Sequence, residues 1–72
     1  MKMNEIEQIG QFIRIKRKEK GMTQVELAKQ SLTTQKSISR IETGKDNTSF
    51  FTILTILKAL DLQLLVNDLA EK

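Results

Sequence analysis

The segment Thr23-Gln24-Val25-Glu26 constrains this chain more than any other. A threonine with a glutamate at the third position after it is a capping box. The hydroxyl accepts an orphan N–H of the first helical turn, and the carboxylate reaches back to the N–H of the cap itself. A helix therefore opens at Gln24. Just upstream, Gly21 supplies a left-handed cap that ends the preceding helix, with Met22 folding back as its hydrophobic contact. Just downstream, Leu32-Thr33 makes a tight turn, and Thr34 caps a further helix.

The rest of the chain is read from those fixed points. The first helix is expected over residues 5–20, capped by Asn4, with Glu5 and Glu7 in its first turn and Lys16, Arg17, Lys18 and Lys20 at the negative end of its dipole. Ile6, Ile9, Phe12 and Ile13 form its apolar stripe. The second helix is expected over 24–31, with Leu27 and Ala28 facing inward, and the third over 35–43, closed by Gly44. Lys45 to Thr48 is a loop, and Thr48 or Ser49 caps a fourth helix over 50–60. Leu62, Leu64 and Val66 then alternate with Gln63, Leu65 and Asn67, the period of a strand over 62–66. The expected fold is all-α, four helices with one short C-terminal strand, in a single domain over residues 1–72.

At 72 residues the core is modest, and with no cysteine there is no disulfide to supplement it. Oligomerisation is a usual way for so small a chain to bury more surface. No apolar run approaches the ~18 residues of a membrane span, and no signal peptide is visible, so a soluble cytoplasmic protein is expected. The chain also lacks histidine. Its acidic residues are scattered, and its glycines stand isolated at positions 10, 21 and 44. Nucleophilic, acid–base and phosphate-loop chemistry all lack their usual residues, so neither an enzyme nor a cofactor or metal is expected. Charge is uneven: residues 1–45 hold ten Lys and Arg against five Asp and Glu, and residues 46–72 hold two against four. A basic half beside a mildly acidic, apolar half suits a polyanion on one face and protein on another.

The third helix sharpens that division. Ile38 and Ile41 give it a core-facing stripe, while Thr34, Gln35, Lys36, Ser37 and Arg40 occupy the other face without an acidic residue among them. Ordinary solvated helix faces favour Glu and Lys. Two short helices joined by a turn form a helix-turn-helix, whose second member enters the major groove N-terminus first. There Gln pairs bidentately with adenine, Lys and Arg pair with guanine O6 and N7, and Thr methyls meet thymine methyls. The unusual composition is that of a base-reading surface.

Residues 9 to 60 resemble the helix-turn-helix domain of the lambdoid phage repressor and Xre family. The resemblance is carried by Arg17, Gly21-Met22-Thr23-Gln24, Leu27-Ala28, Ile38-Ser39, Ile41-Glu42 and Gly44-Lys45. The stretch from Asp46-Asn47-Thr48-Ser49 through Ile53-Leu54 to Lys58-Ala59-Leu60-Asp61-Leu62 is similar to HipB-like antitoxins, in which four helices precede a short strand. The resemblance implies base contacts for Thr34, Gln35, Lys36 and Ser39 or Arg40. It implies phosphate contacts for Gln24, Thr43 and Lys45, and an ion pair between Arg17 and Glu42 that braces the first helix against the third. Where the family often has glycine in the turn, this chain has Leu32. A retained left-handed turn would strain Leu32 by ~1–2 kcal/mol, and a shifted turn is the alternative.

The fourth helix is apolar nearly all round, with Phe50, Phe51, Ile53, Leu54, Ile56, Leu57, Ala59 and Leu60, more than one small core covers. A homodimer would cover the remainder. In it Phe51, Leu54 and Leu57 would lie beneath a two-stranded ribbon formed by Leu62, Leu64 and Val66 of both copies. The expected function is a dimeric DNA-binding repressor on a palindromic operator, and the resemblance adds the role of antitoxin to a HipA-like kinase toxin. A free-standing Xre-type regulator and a protein-interaction module that keeps the fold are the alternatives.

Overall fold

The computed structural model describes residues 4–45 and 48–62. Four helices follow one another along the chain: α1 (Glu5–Glu19), α2 (Gln24–Gln30), α3 (Gln35–Glu42) and α4 (Phe50–Ala59). Each begins at a side-chain cap. Asn4 Oδ1 accepts the Glu7 N–H at 2.8 Å while the Glu7 carboxylate accepts the Asn4 N–H at 2.9 Å. Thr23 and Glu26 repeat that reciprocal box at 3.0 and 2.7 Å. Thr34 accepts from the Ser37 N–H, and Ser49, rather than Thr48, accepts from the Thr52 N–H. Such caps are each worth about 1 kcal/mol.

Every helix stops one residue short of the end expected from the sequence, because Lys20, Ser31, Thr43 and Leu60 are C-caps. The four endings share one pattern of hydrogen bonds, with the second residue past the cap donating back over the last turn. Met22 donates to the Arg17 carbonyl, Thr33 to Ala28, Lys45 to Arg40 and Leu62 to Leu57, at 2.8–3.1 Å. This pattern requires a left-handed residue immediately after the cap. Gly21 and Gly44 adopt it freely, at φ +69° and +72°. Leu32 and Asp61 adopt it at +59° and +60° with a Cβ present. The turn has thus not shifted, and Leu32 carries the left-handed strain of ~1–2 kcal/mol. Leu62 corrects the expected strand at its first residue: it closes the α4 cap and packs against the core. The remainder of that strand, including Leu64 and Val66, lies outside the described residues.

The core joins all four helices through Ile13, Leu27, Ile38, Ile56 and Leu60, with Ala28, Ile41 and Leu57 completing it. α3 packs against both α1 and α2, and α2 also packs against α4. The expected stripe on α1 needs correction. Ile13 is fully buried, but Ile6, Ile9 and Phe12 are about two fifths exposed, and Lys16 Nζ covers the Phe12 ring at 5.6 Å from its centroid. The buried line of α1 is instead Gly10, Ile13 and Arg17. A Cβ at Gly10 would stand 2.0 Å from the Ile41 carbonyl oxygen, so the bare glycine is what lets α1 cross the end of α3 so closely. No helix among the described residues is long and apolar enough to cross a membrane.

Candidate nucleic-acid interface

α3 has two chemically opposite faces. Ile38, Ile41 and Glu42 are buried, while Thr34, Gln35, Lys36 and Arg40 are exposed and Ser37 and Ser39 are partly so. No carboxylate stands on the outer face of α3, whose one acidic residue, Glu42, is buried. The Lys36 ammonium group has no hydrogen bond or ion pair to another described residue, so its charge is available to a ligand. Arg40 reaches back toward the Lys45 carbonyl at 3.4 Å, tying the end of α3 to the loop that follows. Thr34 spends its hydroxyl on the cap, bonding Ser37 at both N–H and Oγ, which leaves its methyl group as the part free to meet a base.

Behind this face stands a buried ion pair. Arg17 Nε donates to Glu42 Oε2 at 2.6 Å and Nη2 to Oε1 at 3.0 Å, a bidentate fork between side chains only 9% and 1% exposed. Arg17 Nη1 donates to the Met22 carbonyl at 2.8 Å, so the same guanidinium pins α1, the α1–α2 turn and the end of α3. The hydrogen bond to Glu42 raises the Arg17 pKa above its ordinary value, against the opposing pull of burial. No buried side-chain polar atom among the described residues lacks a partner.

The pair is also linked outward to the exposed face, a connection that sequence reasoning missed. Gln24 Nε2 donates to Glu42 Oε1 at 3.2 Å, and Gln24 Oε1 accepts from Gln35 Nε2 at 2.7 Å. Gln24 and Gln35 are the first residues of α2 and α3, each following a threonine cap. Their equivalent positions were visible in the sequence, but their contact depends on the crossing of the two helices. The result is an uninterrupted run from buried arginine to exposed glutamine that orients Gln35 before any ligand arrives.

The other expected phosphate contacts divide. Lys45 is exposed with its ammonium group unpartnered among the described residues, while its N–H closes the α3 cap. The Thr43 hydroxyl instead donates to the Ser39 and Arg40 carbonyls at 3.1 Å, which occupies its proton within α3. Of the residues expected at a dimer interface, Phe51 is 77% exposed and Leu54 partly so, while Leu57 and Leu62 instead pack into the core.

Comparison with known proteins agrees with this architecture. A helix-turn-helix family model matches residues 13–66. Two Escherichia coli proteins named antitoxin HipB, from different strains, are 38% and 36% identical over 61 residues, 85% of this chain. The chain spans 65% and 69% of their lengths. Among solved structures, the restriction-modification controller protein C.AhdI from Aeromonas hydrophila superposes with a TM-score of 0.78 at 33% identity, covering 81% of this chain and 88% of that one. A chain of a HipA-HipB-O2-O3 complex gives the same TM-score and identity, covering 92% of this chain and 93% of its own. Arg17–Glu42, the capped helix pair and these matches lead to one conclusion: the chain belongs to the helix-turn-helix family, with antitoxin HipB among its relatives.

Proposed function

We propose that this protein is a sequence-specific DNA-binding repressor that reads a palindromic operator as a homodimer and serves as the antitoxin of a HipA-like kinase toxin. The observation that carries the DNA reading is the outer face of α3. It exposes Gln35, Lys36 and Arg40 without a carboxylate between them, held from behind by the Arg17–Glu42–Gln24 relay. Gln35 and Arg40 supply base-edge hydrogen bonds, Lys36 and Ser39 extend the reading surface, and Gln24 and Lys45 flank it toward the phosphates.

Two copies are needed because one short helix reads only a few base pairs. A dimer sets two reading helices about one DNA turn, ~34 Å, apart and requires a near-palindromic site. The outward Phe51 and Leu54 of α4 form the surface for the second copy. The antitoxin role rests on the HipB relatives and on the similarity to a chain of a HipA-HipB-O2-O3 complex.

The test is a fluorescence titration of palindromic and mixed-sequence duplexes at several salt concentrations. Affinity should fall steeply with salt, because each neutralised phosphate releases condensed counterions. Lys45→Ala should flatten that dependence by about one unit, weakening binding to every duplex alike. Affinity insensitive to salt would leave a protein-interaction module as the better reading. Co-purification with a kinase encoded beside this gene tests the antitoxin role, and a regulator free of any such partner would remove it.

A further inference from the structure

The long cations of α1 are mostly committed. Lys16 pairs with Glu19 at 3.3 Å, Arg17 with Glu42, and Lys20 with Asp61 at 2.8 Å. The charged groups of Arg14 and Lys18 have no hydrogen bond or ion pair to a described residue. Of these two, only Arg14 lines the open cleft between α1 and the helix pair. Glu7, Gln11 and Arg14, one face of α1, form one wall of that cleft, and Gln24, Glu42 and Thr43 form the other.

The cleft adjoins the reading face. Gln24 lines it and is hydrogen-bonded to Gln35, the first residue of α3. Any duplex seated on α3 therefore carries a backbone past the cleft mouth. Both carboxylates that line the cleft already accept hydrogen bonds. Glu42 has both oxygens held by Arg17, and Glu7 has one oxygen on the Asn4 N–H in the first turn of α1, where the helix dipole offsets its charge. Arg14 remains as the exposed cation of the cleft lining, its guanidinium unpaired among the described residues. Its planar fork matches two phosphate oxygens at once.

We propose that Arg14 binds a DNA backbone phosphate at the mouth of this cleft, extending the contact surface from the α2–α3 pair onto α1. The proposal rests on the DNA-binding reading above. It adds a contact that positions the protein on the duplex and does not select sequence.

The experiment compares the full chain with Arg14→Gln, Arg14→Lys and Lys29→Ala on one mixed-sequence duplex and one palindromic duplex, by anisotropy between 50 and 200 mM salt. Arg14→Gln keeps the aliphatic stem and removes the charge. Its slope of log affinity against log salt should be shallower by ~0.9, so its deficit relative to wild type should be ~3.5-fold larger at 50 mM than at 200 mM. Arg14→Lys should retain the wild-type slope. Lys29→Ala, an equal change in net charge on the exposed side of α2, should retain it too. An Arg14→Gln slope equal to wild type, a matching change in Lys29→Ala, or a loss confined to one duplex overturns the Arg14 contact while leaving the α3 reading intact. Salt-independent binding by the wild-type chain would overturn both together. Thermal unfolding of Arg14→Gln should coincide with wild type, because the side chain it replaces has no partner among the described residues.

Discussion

The inner and outer faces of α3 are built by opposite rules. Inward, Ile38 and Ile41 are packed to at most 3% exposure, and Glu42 is satisfied three times over by Arg17 and Gln24. Outward, Lys36 is left open, and the polar side chains gain little stability by being there. One eight-residue helix thus holds a part whose loss should destabilise the domain strongly beside a part whose loss the fold should ignore. So small a protein thereby separates stability from recognition. The core-facing residues fix where α3 sits, and the outer residues are free to match a ligand.

The largest effect should come from breaking the inner face. Glu42→Gln leaves the Arg17 guanidinium buried without its counter-charge, which should cost ~3–5 kcal/mol. Urea unfolding measures that loss, and a double-mutant cycle with Arg17→Met should recover much of it through coupling of the two sites. Absence of coupling would show that the fork does not act as a unit. Because Glu42 also holds Gln24, residual folded Glu42→Gln should bind DNA less tightly than its stability alone explains.

A smaller effect lies at the turn that aims α3. Leu32 is 90% exposed at φ +59°, so Leu32→Gly removes left-handed strain and forfeits almost no packing. Against the extra unfolded-state entropy of glycine, a net gain of roughly 1 kcal/mol is expected in the unfolding midpoint. A loss of stability would mean that the leucine side chain contributes packing which its exposure conceals.

The smallest effect concerns the rim. Lys20 holds the Asp61 carboxyl below its ordinary pKa, chiefly through their hydrogen bond. A depressed carboxylate stabilises the fold above its unfolded pKa, and that contribution disappears as pH falls through the folded value. Lys20→Ala should therefore lower the thermal midpoint slightly at neutral pH and match wild type in strong acid. A difference that persists unchanged through acid would assign the effect to something other than this pair.

Much of the architecture was legible because its signals are local. Asn4, Thr23 and Thr34 act within a turn of themselves, so a short window of sequence contains both donor and acceptor. The helix ends were misplaced by one residue because a C-cap keeps the composition of the helix it closes. At two of the four endings no glycine marks the left-handed residue. The α1 stripe was misjudged for a different reason. Periodicity identifies a face, but which part of that face is covered depends on the crossing of α1 over α3, set by Gly10 against the Ile41 carbonyl. The Gln24–Gln35 bond and the Arg14 cleft likewise arise between helices, where no single stretch of sequence holds both partners.

The most direct test of the division between the two faces is Gln35→Ala, measured on a duplex selected for tight binding by the wild-type chain and on a mixed-sequence duplex. Gln35 is exposed and bonded only to Gln24 among the described residues, so the unfolding midpoint should hardly move. Affinity for the selected duplex should drop by ~1–3 kcal/mol, while affinity for the mixed duplex stays near wild type. Equal losses on the two duplexes, or a loss of stability with no change in discrimination, would contradict a base-reading role for the outer face of α3.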